Sequence, residues 1–283
     1  MQKIENITLT DVKNSLPIHA DIYYGENECP QDVVVFCHGF KGFKDWGAWH
    51  LVAETMAKAG FVFVKFNFSH NGIGSTDFQN FTNIEAFSKS NYSKDAADLE
   101  SVIDWVSSSK FPVNNTSGKI HLIGHSRGGG IVLLKAFEDE RVQKVVAWSS
   151  ISTFNRFGNE ATLETWEKEG FKNFRNARTG QDMPIKYQFY EDYLQNKERF
   201  DLEKIVKNLE KPLLIVHGDK DDAVGLSHAT KLKKWKSDAE LEIVKNANHV
   251  YNSRHPWSEN FLPKELAFVT SRTIEFLEVK HKL

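Results

Sequence analysis

The stretch Ile120-His121-Leu122-Ile123-Gly124-His125-Ser126-Arg127-Gly128-Gly129-Gly130 constrains this chain more than any other. A short apolar strand runs into Gly-x-Ser-x-Gly (Gly124, Ser126, Gly128), and an apolar run with the length and content of a helix begins at Ile131. The missing side chains at Gly124 and Gly128 let strand and helix close around the serine, so the expected turn is strained and its hydroxyl exposed. That hydroxyl then sits at a helix N-terminus, where the dipole and free N–H groups favour developing negative charge. The pentapeptide alone is also compatible with an ordinary turn, so the rest of the chain must decide.

Residues 4–10 and 17–24 read as two strands joined by a turn containing Asn14. Val33-Val34-Val35-Phe36-Cys37 is a continuous apolar run, the pattern of a strand buried on both faces, and it ends in His38-Gly39-Phe40-Lys41-Gly42. A helix is expected over 49–58, closed by Gly60, and a second buried strand over 61–66 leads into the loop 67–75. Tyr92, Ala96, Leu99, Ile103 and Val106 have the spacing of an amphipathic helix over 91–106. After the serine turn come a strand over 142–148 and, much later, a strand over 212–216 that leads into His217-Gly218-Asp219-Lys220-Asp221-Asp222-Ala223-Val224. A helix over 227–235, a strand over 241–244, the loop Asn246-Ala247-Asn248-His249 and a helix opening at Pro263 complete the chain. Strands alternating with helices at this rhythm imply an α/β protein with a mostly parallel, doubly covered sheet.

Residues 152–208 break the rhythm. They are rich in charge and in aromatic residues (Phe154, Phe157, Trp166, Phe171, Phe174, Tyr187, Phe189, Tyr190, Tyr193), too long for an ordinary connection and too short for a second domain. The expected organisation is therefore a core of 1–151 and 209–283 with a small inserted cap at 152–208. Most of its aromatics should pack the cap onto the core and a minority should line a pocket. Glu160, Glu164, Glu167 and Glu169 read as a solvated helix face.

With 283 residues, 40% of them hydrophobic, the chain can bury a large core. A net charge of −2 argues against a nucleic-acid or anionic-membrane partner, which would want a basic face. The first residues lack a signal-type apolar segment and no run approaches membrane-spanning length, so a cytoplasmic protein is expected. Cys29 and Cys37 make no disulfide framework, Cys37 reads as a buried small hydrophobe, and no Cys/His cluster has metal-ligand spacing.

On these residues the chain resembles an α/β-hydrolase over nearly its whole length. Four ordered signatures carry the likeness: His38-Gly39-Phe40, the Gly-His125-Ser126-Arg127-Gly turn, His217-Gly-x-x-Asp221-x-x-Val224, and Asn248-His249. Their order, serine then acid then histidine, is the family's, and each follows an expected strand, so all should collect at the carboxyl edge of the sheet. The resemblance implies a nucleophile at Ser126, a base at His249 and an orienting acid at Asp221, with Asp222 the close rival and Asp219 a distant one. It also implies an oxyanion hole at the backbone N–H groups of Phe40 and Arg127, and needs no cofactor. His38, His125 and His217 should brace loops by hydrogen bonding, and His228 and His255 should lie at the surface. The loop bearing Asn67, His70 and Asn71 departs from sequences common in the family, which leaves its role open.

Serine at the turn sets the chain apart from the dehalogenase and epoxide-hydrolase branches, which carry aspartate there, and from true dienelactone hydrolases, which carry cysteine. His-Gly-Phe with a short aromatic cap is most similar to small bacterial carboxylesterases of the feruloyl or cinnamoyl type and to dienelactone-hydrolase-related proteins. The resemblance thus implies a small-molecule ester as substrate, with acyl-peptidase or amidase activity as the alternative, and a non-catalytic ligand-binding member as a reading of another class. The sequence is silent on oligomeric state.

Overall fold

The computed structural model describes residues 1–176 and 178–278. Among them β1 (Gln2–Leu9), β2 (Ile18–Tyr24), β3 (Gln31–Cys37), α1 (Trp49–Lys58), β4 (Val62–Asn67), α2 (Ile84–Ser88), α3 (Tyr92–Val106), β5 (Thr116–His125), α4 (Arg127–Glu138) and β6 (Val142–Trp148) form the first half. Then follow α5 (Glu160–Glu169), β7 (Phe171–Arg175), β8 (Asp182–Lys186), α6 (Gln188–Gln195), α7 (Leu202–Lys207), β9 (Leu213–Gly218), α8 (Ser227–Trp235), β10 (Glu240–Val244) and α9 (Lys264–Glu278).

Eight strands make one sheet in the order β1-β2-β4-β3-β5-β6-β9-β10. The pairs β1/β2 and β2/β4 are antiparallel and every other pair in this sheet is parallel. Because strand side chains alternate, each buried strand feeds two cores. Val33, Val35 and Cys37 enter the core shared with α3, α4 and α8, whereas Val34 and Phe36 enter the core shared with α1 and α9. The same division holds for Val145 and Ala147 against Val146 and Trp148. The continuous apolar runs of the sequence are thus the two-sided burial of a covered sheet, and this is the α/β-hydrolase fold.

The expected elements recur with small shifts, and one start differs in an informative way. The helix after the serine turn begins at Arg127 rather than at Ile131, so Gly128, Gly129 and Gly130 lie inside it. Glycine is a poor helix former, costing about 1 kcal/mol relative to alanine. Tight packing overrides the propensity: a Cβ at Gly129 would sit 2.3 Å from Ser150 Oγ. Short elements inside 152–208, and α2, carry too little periodicity to be read from sequence. There β7 and β8 pair as a separate two-stranded antiparallel sheet, followed by α6 and by α7, which packs on α4 and α8. Glu160, Glu164, Glu167 and Glu169 are exposed, and Cys37 is buried and free. Among the described residues no helix is long and apolar enough to cross a membrane.

One feature inside the apolar strands is charged. Lys65 stands opposite Asp21 in the β2/β4 register and is fully buried. Its ammonium lies 2.5 Å from Asp21 Oδ2, Lys44 Nζ lies 2.8 Å from the same oxygen, and both lysines also reach Asp45. Asp21 Oδ1 accepts the Asn6 N–H at 2.7 Å. Burial works to raise the Asp21 pKa, but Lys65 and Lys44 outweigh it and hold the carboxyl below its ordinary value. Since the folded pKa is depressed, the stability this carboxylate contributes is present above about pH 4, the unfolded value, and is lost as pH falls from there toward the folded one. Asp21→Asn leaves two buried ammonium groups facing a single, partly exposed carboxylate, and should destabilise the protein by roughly 3 to 5 kcal/mol, read from the urea midpoint at neutral pH. A loss below about 1 kcal/mol would mean that Asp45 alone compensates both lysines.

Candidate active site

Ser126 follows the last residue of β5 and precedes the first residue of α4, with φ 58° and ψ −118°. A non-glycine residue is held in such a conformation only by its surroundings. Two close approaches impose it. A Cβ at Gly124 would lie 2.3 Å from the Gly128 carbonyl oxygen, and one at Gly128 would lie 2.4 Å from the Cys37 carbonyl oxygen at the end of β3. The Ser126 N–H donates to the Trp148 carbonyl at 2.9 Å, and its carbonyl accepts from Gly129 and Ile151. The hydroxyl consequently projects into a cavity of about 460 Å³.

His249, on the loop after β10, lines the same cavity. Its Nδ1–H donates to Asp221 Oδ2 at 2.8 Å. Asp221 is buried, and its second oxygen accepts the N–H groups of Ala223 at 3.0 Å and Val224 at 2.8 Å. His217 Nε2–H donates to the Val224 carbonyl at 2.7 Å and lies 3.3 Å from Asp221 Oδ2. Burial would raise the Asp221 pKa; the bonds from His217, His249 and Val224 overcome it and keep the carboxyl far below the ordinary range. The geometry separates the rivals: Asp222 is exposed, and exposed Asp219 accepts the Asn246 N–H at 2.7 Å. Among the described residues no hydrogen bond within 3.5 Å joins Ser126 Oγ to His249, although both residues line one cavity. Such contacts are often long without substrate.

Phe40 and Arg127 also border the cavity beside Ser126. Arg127 N–H belongs to the first turn of α4, where amides have no intrahelical acceptor. Among the described residues neither that amide nor Phe40 N–H donates a hydrogen bond. The Arg127 side chain turns away: its guanidinium stands 5.0 Å from the Phe40 ring centroid and 3.1 Å from Asp95. Burial pushes the Asp95 carboxyl up to about 6 against the pull of Arg127. Sequence reasoning missed this partner because Asp95 sits among the ordinary polar positions of α3.

Of the bracing histidines, His38 and His125 are neutral. Burial drives His38 down to about 3; its Nδ1–H donates to the Gly39 carbonyl at 2.9 Å and its Nε2 accepts Phe68 N–H at 3.3 Å. His125, lowered to about 3 by burial and by neighbouring His249, donates Nε2–H to the His249 carbonyl at 2.8 Å. His70, in the divergent loop, is buried and joins Ser69 Oγ at 2.7 Å. His228 and His255 differ from expectation, since each is half-buried and ties segments together. Ser152 N–H donates to His228 Nδ1 at 2.9 Å where the chain enters 152–208, and Gly47 N–H donates to His255 Nδ1 at 2.9 Å. Both contacts are distant in sequence and leave no local signal.

Of the aromatics in 152–208, Phe157, Trp166, Phe174 and Phe189 line the cavity, with Tyr92 from α3. Phe154, Tyr187, Tyr190 and Tyr193 pack against other rings and the core, the Phe154 ring centroid 4.5 Å from that of Tyr92, whereas Phe171 is exposed. Lys41, Arg156 and Lys172 complete the wall, and none of them was singled out by its sequence. Among the described residues no group of three or more His, Cys, Asp or Glu side chains is placed to hold a metal ion.

The profile of the prolyl oligopeptidase family, Peptidase_S9, matches residues 48–273. The chain belongs to this family of hydrolases. Its fold is similar to Est1E from Butyrivibrio proteoclasticus, with a TM-score of 0.70 at 19% identity over 97% of this chain and 98% of that one. It is similar also to the α/β-hydrolase GrgF from Penicillium sp. sh18 (TM-score 0.74, 15% identity, 98% of both chains). A dienelactone hydrolase from Anabaena variabilis gives a TM-score of 0.61 at 16% identity, over 98% of this chain and 96% of that one. An uncharacterized 31.7 kDa protein of the traX-finO intergenic region of Escherichia coli is 28% identical over 139 residues, 49% of this chain and 44% of that protein.

The turn's geometry is testable directly. Gly128→Ala drives a methyl group against the Cys37 and His38 carbonyls, and should cost at least 1 to 3 kcal/mol, the usual range for overpacking, read from thermal unfolding. An unchanged melting temperature would contradict the close approach of β3 and α4.

Proposed function

We propose that the protein is a serine hydrolase that cleaves carboxylic esters of small or aromatic acyl groups through an acyl-enzyme on Ser126. The observation that carries this reading is the His249–Asp221 hydrogen bond at the wall of an aromatic cavity into which Ser126 projects from a strained turn. Segment 152–208 acts as the cap that supplies the acyl-binding wall.

A serine hydroxyl is a weak nucleophile until a base takes its proton. Ser126 Oγ attacks the ester carbonyl carbon as its proton passes to His249 Nε2, and the carbonyl electron pair moves onto oxygen. Asp221, ionised at neutral pH, fixes the Nδ1–H tautomer and stabilises the imidazolium. The N–H groups of Phe40 and Arg127 receive the oxyanion, each such donor contributing roughly 3 to 4 kcal/mol. Collapse expels the alcohol, which takes the proton from His249. Water then repeats the sequence on the acyl-enzyme, releasing the acid and restoring Ser126.

The family match favours a second reading, hydrolysis of acylated peptides or amides. Capture of a peptide N-terminus would want carboxylates, and the cavity lining holds no Asp or Glu. That supports the ester reading. A non-catalytic role is disfavoured because serine, histidine and acid are all present.

The test is turnover of p-nitrophenyl esters of increasing acyl length, methyl ferulate and an aminoacyl anilide. Ester hydrolysis is expected, with Ser126→Ala reducing kcat by roughly a million-fold and Asp221→Asn by roughly ten-thousand-fold. Cleavage of the anilide alone would transfer the reading to a peptidase, and undiminished turnover by Ser126→Ala would refute the nucleophile.

A further inference from the structure

The cavity wall is aromatic, yet it holds three cations with no carboxylate within ion-pair distance among the described residues. Arg127 has Asp95. Lys41, Arg156 and Lys172 line the cavity with no carboxylate within 4.0 Å among the described residues. Lys41 Nζ donates to the Arg175 carbonyl at 3.0 Å and stands 5.8 Å from the Phe40 ring centroid. Arg156 is held by its bond to the Ala223 carbonyl at 2.9 Å. Lys172 is set between two rings, 5.8 Å from Trp166 and 5.4 Å from Phe174.

Lys41 and Lys172 are half-buried rather than trailing in solvent, whereas Arg156 is exposed and fixed by its bond to the Ala223 carbonyl. Phe174 meets Phe40 edge-on at 5.2 Å between ring centroids, so the ring carrying Lys172 touches the ring over which the Arg127 guanidinium stands. Burial lowers the Lys41 pKa, the mark of an ammonium lacking a counter-charge. Partly desolvated cations facing an apolar chamber attract an anion more strongly than the same groups in open water. The lining supplies no negative side chain to compete with it.

We infer that the substrate is an anionic ester: an aromatic or short acyl group bearing its own carboxylate, which Lys172, Lys41 and Arg156 receive while Ser126 meets the ester carbonyl. This rests on the esterase reading for the ester and on the cavity's charge for the carboxylate, and the two are separable by experiment. Monomethyl terephthalate carries a carboxylate where methyl 4-methylbenzoate carries a methyl group, and the two esters are otherwise alike in shape.

Binding of each to Ser126→Ala is measured by calorimetry, and hydrolysis of each by the wild-type protein is followed through its product acid. The expected result is roughly tenfold or more tighter binding of the half-ester at low salt, the scale of one charge-assisted contact. That preference should shrink in high salt and in Lys172→Met and Arg156→Gln, and persist in Lys172→Arg. Circular dichroism establishes that each variant is folded. Equal affinity for the two esters, or a preference that survives both neutralising substitutions, would overturn the anion site even if both esters are hydrolysed. Charge-selective binding without hydrolysis of either ester would leave the anion site standing and remove the esterase reading.

Discussion

The contact between the end of β3 and the first turn of α4 is the constraint on which the site depends. With only hydrogen on Gly128, the Cys37 carbonyl can approach to a distance at which no other residue would fit. That approach draws α4 against the sheet, starts the helix immediately after Ser126 and leaves the serine with φ 58°. The same contact brings the loop after β3 alongside the helix N-terminus, so Phe40 and Arg127 border the same cavity as Ser126. Backbone strain at one residue is the local expression of a packing decision made between two elements about ninety positions apart.

Polar groups around this contact follow two different electrostatic strategies. Near the cavity, His38 and His125 are desolvated and neutral, each donating to a backbone carbonyl, so they hold loops without adding charge beside Ser126. Further along the sheet, Asp21, Lys44, Lys65 and Asp45 remain as a buried charged cluster because each ion has an opposite partner within reach. Asp221 combines the two: a buried carboxylate made tolerable by histidine and amide donors, and through them directed at His249. The cavity cations follow neither strategy, and they stand on an aromatic wall whose described lining holds no Asp or Glu.

The alternation of apolar runs with helical segments determined the sheet, because a strand covered on both faces is hydrophobic at nearly every position, charge entering where it is paired, as at Asp21 and Lys65. The spacing of Gly124, Ser126 and Gly128, and the order of Ser126, Asp221 and His249 after successive strands, likewise placed these residues at one edge before any contact was known. Local chemistry sufficed there, since period, glycine and chain order are properties of neighbours. Tertiary structure alone decided that α4 begins at Arg127, that Asp221 rather than Asp222 meets His249, and that His228 and His255 tie distant segments. It also decided which aromatics of 152–208 line the cavity and which cations there have no carboxylate beside them among the described residues. Burial and charge pairing depend on residues far away in the chain, so no reading of adjacent positions could have supplied them.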